Sequence, residues 1–138
     1  MYLSITHILD VIGQQTGADW NTFGYDGLGS MRHIFDGNGA SVYNATYDPY
    51  GGILSSGGTG ASSLGYTGEM TDPSGLVYLR ARYYNPAVGK GYEVDAFTQP
   101  DPVQGVMGGR AIRWNPYPYV GGNPVNITDP SGEFFPLL

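Results

Sequence analysis

Six times along this chain an aspartate is followed three residues later by glycine: Asp10 to Gly13, Asp26 to Gly29, Asp36 to Gly39, Asp48 to Gly51, Asp72 to Gly75 and Asp129 to Gly132. Aspartate at the head of a tight turn accepts a hydrogen bond from the backbone N–H two residues on. Glycine at the fourth position takes the left-handed conformation that lets the next strand bulge back. The first four begin at spacings of 16, 10 and 12 residues, the interval of short strands joined by hairpins. The pattern predicts an all-β chain built as an antiparallel ribbon of hairpins.

A length of 138 residues suits one domain with a sizeable core. Gly 23 and Pro 10 approach a disordered composition, but 14% aromatic and only 13% charged residues argue against it. The 12 tyrosines fit half-buried pleated surfaces, where a flat ring packs across strands and its hydroxyl reaches water or backbone. A formal charge of -6 disfavours a nucleic-acid partner, because phosphate binding needs clustered Lys and Arg. With Cys 0, disulfide frameworks and thiolate metal sites are excluded, while secretion is not. The amino-terminal sequence has no basic stretch before its apolar residues, so it does not read as a signal peptide. No run reaches the roughly 20 apolar residues of a membrane-spanning helix.

Residues 1–64 read as a meander of hairpin repeats, with strands expected around Leu3 to Leu9, Ser30 to Phe35 and Ser41 to Tyr47. In the last of these, Tyr43, Ala45 and Tyr47 alternate with Val42, Asn44 and Thr46, the period of a two-faced strand. Ser55 to Ser63, with no side chain able to hold a core, reads as an exposed flexible loop. Leu76 to Tyr84 predicts one continuous strand, with Val77, Leu79, Ala81 and Tyr83 on one face. Tyr78, Arg80 and Arg82 would then share the other, both arginines pointing the same way. A further strand is expected over Tyr92 to Thr98. From Pro100 onward prolines are frequent, and each removes a backbone donor, so an irregular wrap or plug is expected there. No window carries a sustained helical period.

Four stretches carry a recognisable order: Gly65-Tyr-Thr-Gly-Glu69; Asp72-Pro-Ser-Gly-Leu-Val-Tyr-Leu-Arg-Ala-Arg-Tyr-Tyr-Asn-Pro86; Gln99-Pro-Asp-Pro102; and Pro118 through Asp129-Pro-Ser-Gly132. Together they closely resemble the RHS repeat-associated core domain. Tyr25-Asp26 and Tyr47-Asp48 look like the tyrosine-aspartate repeats that precede that core. The resemblance implies hairpin repeats over 1–64 with the Gly/Ser loop at 55–63, a core over 65–132 whose motif residues include Arg80, Arg82, Tyr83 and Tyr84, and a tail at 133–138. In bacterial polymorphic toxins, toxin-complex components and teneurins, such repeats build a ribbon that spirals into a hollow shell closed by the core. In the bacterial toxins an effector follows the core and is released by self-cleavage. A secreted or cell-surface location follows from the same resemblance, with the rest of a larger repeat chain, or copies of this one, as partner. A spiralling ribbon is completed by its neighbours, and a terminal piece taken alone leaves strand edges open.

Family members that cleave themselves use two aspartates near the end of the core, and the matching positions are Asp101 and Asp129. Two carboxyls held close cannot both ionise, so one stays protonated to polarise a carbonyl while the other activates water. In the family Leu usually follows the terminal Asp-Pro-x-Gly; here Glu133 does. The competing reading makes both aspartates turn initiators. Trp114, Tyr117 and Tyr119 could form a shelf for a cell-surface glycan or protein, against packing inside the shell. His7 and His33 lack metal-ligand spacing, and Asp36-Gly-Asn-Gly39 lacks the later acidic ligands of a calcium loop. No metal or other cofactor is expected.

Overall fold

The computed structural model describes residues 2–5, 8–88, 96–100, 106–107, 110–111 and 117–133. The chain divides into two compact units, Met1–Met70 and Thr71–Leu138. Among the described residues nearly all regular structure is strand, and the helical pieces are two short 3-10 turns, Tyr66–Gly68 and Tyr119–Gly122.

The first unit is a six-stranded sheet in sequential order: β1 (Tyr2–Ile5), β2 (Ile8–Thr16), β3 (Asp19–Tyr25), β4 (Met31–Phe35), β5 (Ser41–Tyr47) and β6 (Ile53–Gly58). Every neighbouring pair is antiparallel. Three of its hairpins repeat one solution. The last strand pairs before each loop are Tyr25 with Met31, Phe35 with Ser41, and Tyr47 with Ile53. Inside each, the glycine N–H donates to the aspartate carbonyl at 3.0 Å. Asp26 Oδ1 accepts from the N–H groups of Leu28 and Ser30 at 3.0 and 2.9 Å. Asp36 Oδ1 does the same for Asn38 and Ala40, both at 2.9 Å, and Asp48 Oδ1 for Tyr50 and Gly52 at 2.8 and 2.9 Å. One carboxylate oxygen thus serves two backbone donors. The glycines lie at φ 80, 82 and 87, the left-handed geometry of a three-residue loop closed by a bulge.

A second irregularity follows each turn, where the ladder skips Arg32, Val42 or Leu54. An extra residue shifts the two-residue alternation by one, which is why Met31 and Ile34, three apart, are both buried. With Ala45 and Tyr66 they form the core of this unit. Skipped Arg32 reaches back to Asp26 Oδ2 at 2.8 Å and lies over the Tyr47 ring at 5.3 Å. Burial, with Tyr43 adding to it, pushes the Tyr47 hydroxyl up to about 12. That hydroxyl donates to the Met31 carbonyl at 3.1 Å. The Gly65–Glu69 turn folds onto the sheet, its Gly65 carbonyl accepting from Met31 N–H at 2.9 Å. A Cβ at Gly51 would lie 2.5 Å from the Tyr66 ring, so glycine is needed there for packing as well as for its positive φ.

Three local expectations are corrected. Asp10 to Gly13 is not a turn but lies inside β2, paired with β1 and β3. Ser55–Gly58, expected as a flexible loop, runs in edge strand β6, with Ser55 opposite Thr46 and Ser56 opposite Ala45. Over Ser55–Gly58 the pairing is made by backbone, since these residues are all serine or glycine. Leu76–Tyr84 is not one strand: β8 (Val77–Leu79) reverses through Arg80 and Ala81 into β9 (Arg82–Tyr84).

β7 (Met70–Thr71), β8 and β9 make a three-stranded sheet in that order, and β10 (Val106–Met107) with β11 (Arg110–Ala111) a short antiparallel pair. Of the strand expected over Tyr92–Thr98, residues 92–95 lie outside the described set; Phe97 forms an isolated bridge with Tyr84.

Candidate functional site

In the second unit four of the residues singled out in the sequence, Arg82, Tyr84, Tyr119 and Asp129, are buried. A two-residue reversal puts cross-strand partners on one face. Val77 pairs with Tyr84 and Leu79 with Arg82, and all four side chains are buried. Tyr78 pairs with Tyr83 on the outer face, ring centroids 5.2 Å apart. The arginines therefore do not point the same way. Arg80 is exposed at the reversal with φ 60, while Arg82 is only 3% exposed.

Beneath Arg82 lies an aromatic cluster. Its guanidinium carbon sits 3.5 Å from the Phe97 ring centroid, a cation–π contact worth on the order of 1 to 2 kcal/mol when desolvated. Tyr84 stacks on Tyr119 at 4.3 Å, and Phe97 approaches Tyr84 and Tyr119 at 5.8 and 6.0 Å. Tyr119 is 1% exposed, so its faces belong to the core and not to a shelf open to ligand. Tyr117, half-buried, contributes its carbonyl, which accepts from the N–H groups of Ala96 and Phe97 at 3.1 Å each. Trp114 lies outside the described residues.

On the other side of Arg82 stands the last Asp-Pro-Ser-Gly. Asp129 is 4% exposed. Its Oδ2 is 3.6 Å from an Arg82 guanidinium nitrogen, and its Oδ1 accepts from the Gly132 N–H at 2.9 Å and the Ser131 hydroxyl at 3.1 Å. Burial raises the Asp129 carboxyl above its ordinary value; the Ser131 hydroxyl, the Gly132 N–H and Arg82 pull it back without cancelling that rise. Three successive carbonyls of this segment are held by three successive residues of the hairpin tip. Arg80 donates to Pro130 O, Ala81 N–H to Ser131 O at 3.2 Å, and Arg82 Nε to Gly132 O. A Cβ at Gly132, where φ is 67, would lie 2.2 Å from the Leu79 carbonyl oxygen. The tip and the turn are thus fitted backbone against backbone.

Asp129 is accordingly committed to an arginine and to its own turn. Asp101, the other member of the expected dyad, lies outside the described residues, as does His7. His33 is exposed, stacked on Phe35 at 5.5 Å and within 3.3 Å of the Ser41 hydroxyl. Among the described residues no group of three His, Asp or Glu side chains could hold a metal ion. Sequence reasoning missed Phe97 and the reversal at Arg80. Nothing local marks a ring that only the tertiary fold sets beneath a guanidinium.

The fold is a serial YD-type hairpin ribbon followed by a clasped, proline-rich segment. The teneurin YD-shell family matches residues 12–107, and the chain belongs to that family. It is 31% identical over 129 residues to toxin subunit YenC1 of Yersinia entomophaga, an alignment covering 88% of this chain and 12% of that protein. With the tRNA nuclease WapA of Bacillus subtilis it shares 33% identity over 121 residues, 83% of this chain and 5% of the relative. The crystal structure of TcdB2-TccC3 superposes with a TM-score of 0.70 at 26% identity, covering 86% of this chain and 5% of that one. The chain therefore spans about an eighth or less of the length of these relatives.

Proposed function

We propose that this chain is a structural, non-catalytic segment of a secreted or surface-displayed shell, fibre or adhesive assembly. Its partner is the remainder of a larger repeat chain or further copies of itself. The observation that carries this reading is the repeated hairpin unit, whose sheet ends in β1 and β6 as outer strands. Such a sheet grows by adding strands of its own kind. Similarity to a toxin subunit and a tRNA nuclease supports a place in a large secreted toxin, in the part those proteins share with this chain. The use of Asp129 in an ion pair and a turn supports the non-catalytic reading.

One observation favours a second reading, a self-cleaving core with Asp101 and Asp129 as its dyad: the Asp129 carboxyl is buried and raised, as one member of such a pair must be. A single experiment separates the two. The chain is expressed with a reporter domain fused after Leu138, and as Asp101→Asn and Asp129→Asn. The structural reading predicts uncut fusion in all three. Cutting in the parent that either substitution abolishes would establish the dyad.

A further inference from the structure

We infer that the β8–β9 hairpin tip is a mechanical clamp, built to hold the segment Asp129–Gly132 when the chain is pulled from its carboxyl side. The three contacts run in register. Residues 80, 81 and 82 hold the carbonyls of 130, 131 and 132 in the same sequence, each pair 50 positions apart. The two runs therefore lie in the same direction. The hairpin is anchored through β8, at the Leu79 end of its run. A pull on residue 133 acts at the opposite end of the partner run, so force travels along the row and all three bonds share it. A pull from the Asn126 side acts at the same end as the anchor and opens the bonds one at a time.

Three further features fit a clamp that must not slip. Gly132 is wedged against the Leu79 carbonyl, where any side chain would collide. Arg82 is gripped on two sides, by the Phe97 ring and by Asp129, so its guanidinium cannot swing away with the segment. Arg80, a non-glycine residue at φ 60, holds a left-handed conformation that side chains disfavour. The tip keeps that geometry while its side chain and the next N–H are bound to the segment. Tyr78 and Tyr83 on the outer face take no part.

Single-molecule pulling on the full chain tests this, and the absence of native cysteine makes handle placement clean. Handles go on Pro73→Cys with Glu133→Cys for the shared-load geometry, and on Pro73→Cys with Asn126→Cys for the peeling geometry. Release of the segment in the first geometry should need about two-fold more force than in the second, and Arg80→Ala should lower the first by about a third while leaving the second nearly unchanged. Arg82→Met should lower the first most. If that variant fails to fold, Arg80→Ala decides, because its exposed side chain supplies one of the three bonds and fills no core. Equal forces in the two geometries, or an Arg80→Ala effect of the same proportion in both, would mean ordinary packing and overturn the clamp.

Discussion

The second unit contains the tetrapeptide Asp-Pro-Ser-Gly twice, at Asp72–Gly75 and Asp129–Gly132. The four residues are identical and the physics is opposite. At the first, Asp72 is only half-buried on its turn, and its Oδ1 accepts from the N–H groups of Ser74 and Leu76 at 2.8 and 3.1 Å. That repeats the unit seen at Asp26, Asp36 and Asp48, with Gly75 at φ 88 and nothing within 4 Å of where its Cβ would stand. At the second, the turn is buried against a hairpin tip and an arginine. The Ser74 hydroxyl, as the largest cause, holds the Asp72 carboxyl below its ordinary value; burial lifts that of Asp129 above. A local motif therefore fixes the shape of the turn, and its surroundings decide what the carboxylate does.

The widest separation between the two should come from deleting each carboxylate. Asp129→Ala leaves Arg82 buried without its counter-ion, and such losses run to about 3 to 5 kcal/mol. Asp72→Ala removes bonds that water can replace and should cost much less. Urea midpoints of the two variants measure this directly. Equal losses would mean that the Arg82 pair contributes nothing beyond the turn itself.

The glycines come next. Gly75→Ala meets only the strain of a positive φ, about 1 kcal/mol. Gly132→Ala adds a collision with the Leu79 carbonyl and should cost about 3 kcal/mol in all, since overpacking typically adds 1 to 3. The Gly132 variant should also lose protection of the Ala81 and Gly132 amides in hydrogen exchange, because the tip can no longer seat. Unchanged exchange there would remove the close fit.

The same contrast shows how far the sequence could be read. The Asp-x-x-Gly spacing carried most of the ribbon, because Asx hydrogen bonds and a left-handed glycine are local and need no neighbours. Where the pattern misled, at Asp10 to Gly13, strand pairing on both sides won over turn propensity. The β8–β9 reversal was hidden for the converse reason. Arg80 and Ala81 carry no turn signal, and their conformation is held by residues 50 positions away. The site residues Arg82, Asp129 and Gly132 were visible as motif positions. Their arrangement was not, since the two-residue reversal at Arg80 and Ala81 exchanged which of Arg82 and Tyr83 faces the core.

Acid titration should turn the contrast into opposite slopes. Asp129 is raised in the folded chain, so it binds its proton more tightly there than when unfolded. Its contribution is fully present below the unfolded value of 3.8 and declines as pH rises through the higher folded value. Asp72 is lowered, so its contribution is present above 3.8 and is lost as pH falls through the folded value. The difference in melting temperature between the parent and Asp129→Asn should shift against the parent as pH climbs from 3.8. For Asp72→Asn the parent should lose its advantage as pH drops below 3.8. Slopes of the same sign would show that both carboxylates sit in one kind of environment.

The finest distinction lies in the serines. The Ser74 hydroxyl donates to Asp72 Oδ1 at 2.6 Å and is the largest cause of that carboxyl's lowered value. Ser131 donates to Asp129 Oδ1 at 3.1 Å, and its oxygen also accepts from the Glu133 N–H at 3.2 Å. Ser74→Ala should bring the Asp72 titration, followed by NMR, back toward the ordinary carboxylate value with little change in melting temperature, because water takes over the exposed oxygen. Ser131→Ala should move the Asp129 titration further upward, since burial would then be opposed by one donor fewer. It should also cost about 1 kcal/mol, the usual net loss for a buried hydrogen bond. Were the two substitutions to shift the two carboxyls equally at no cost in stability, burial of the second turn would have no part in setting its chemistry.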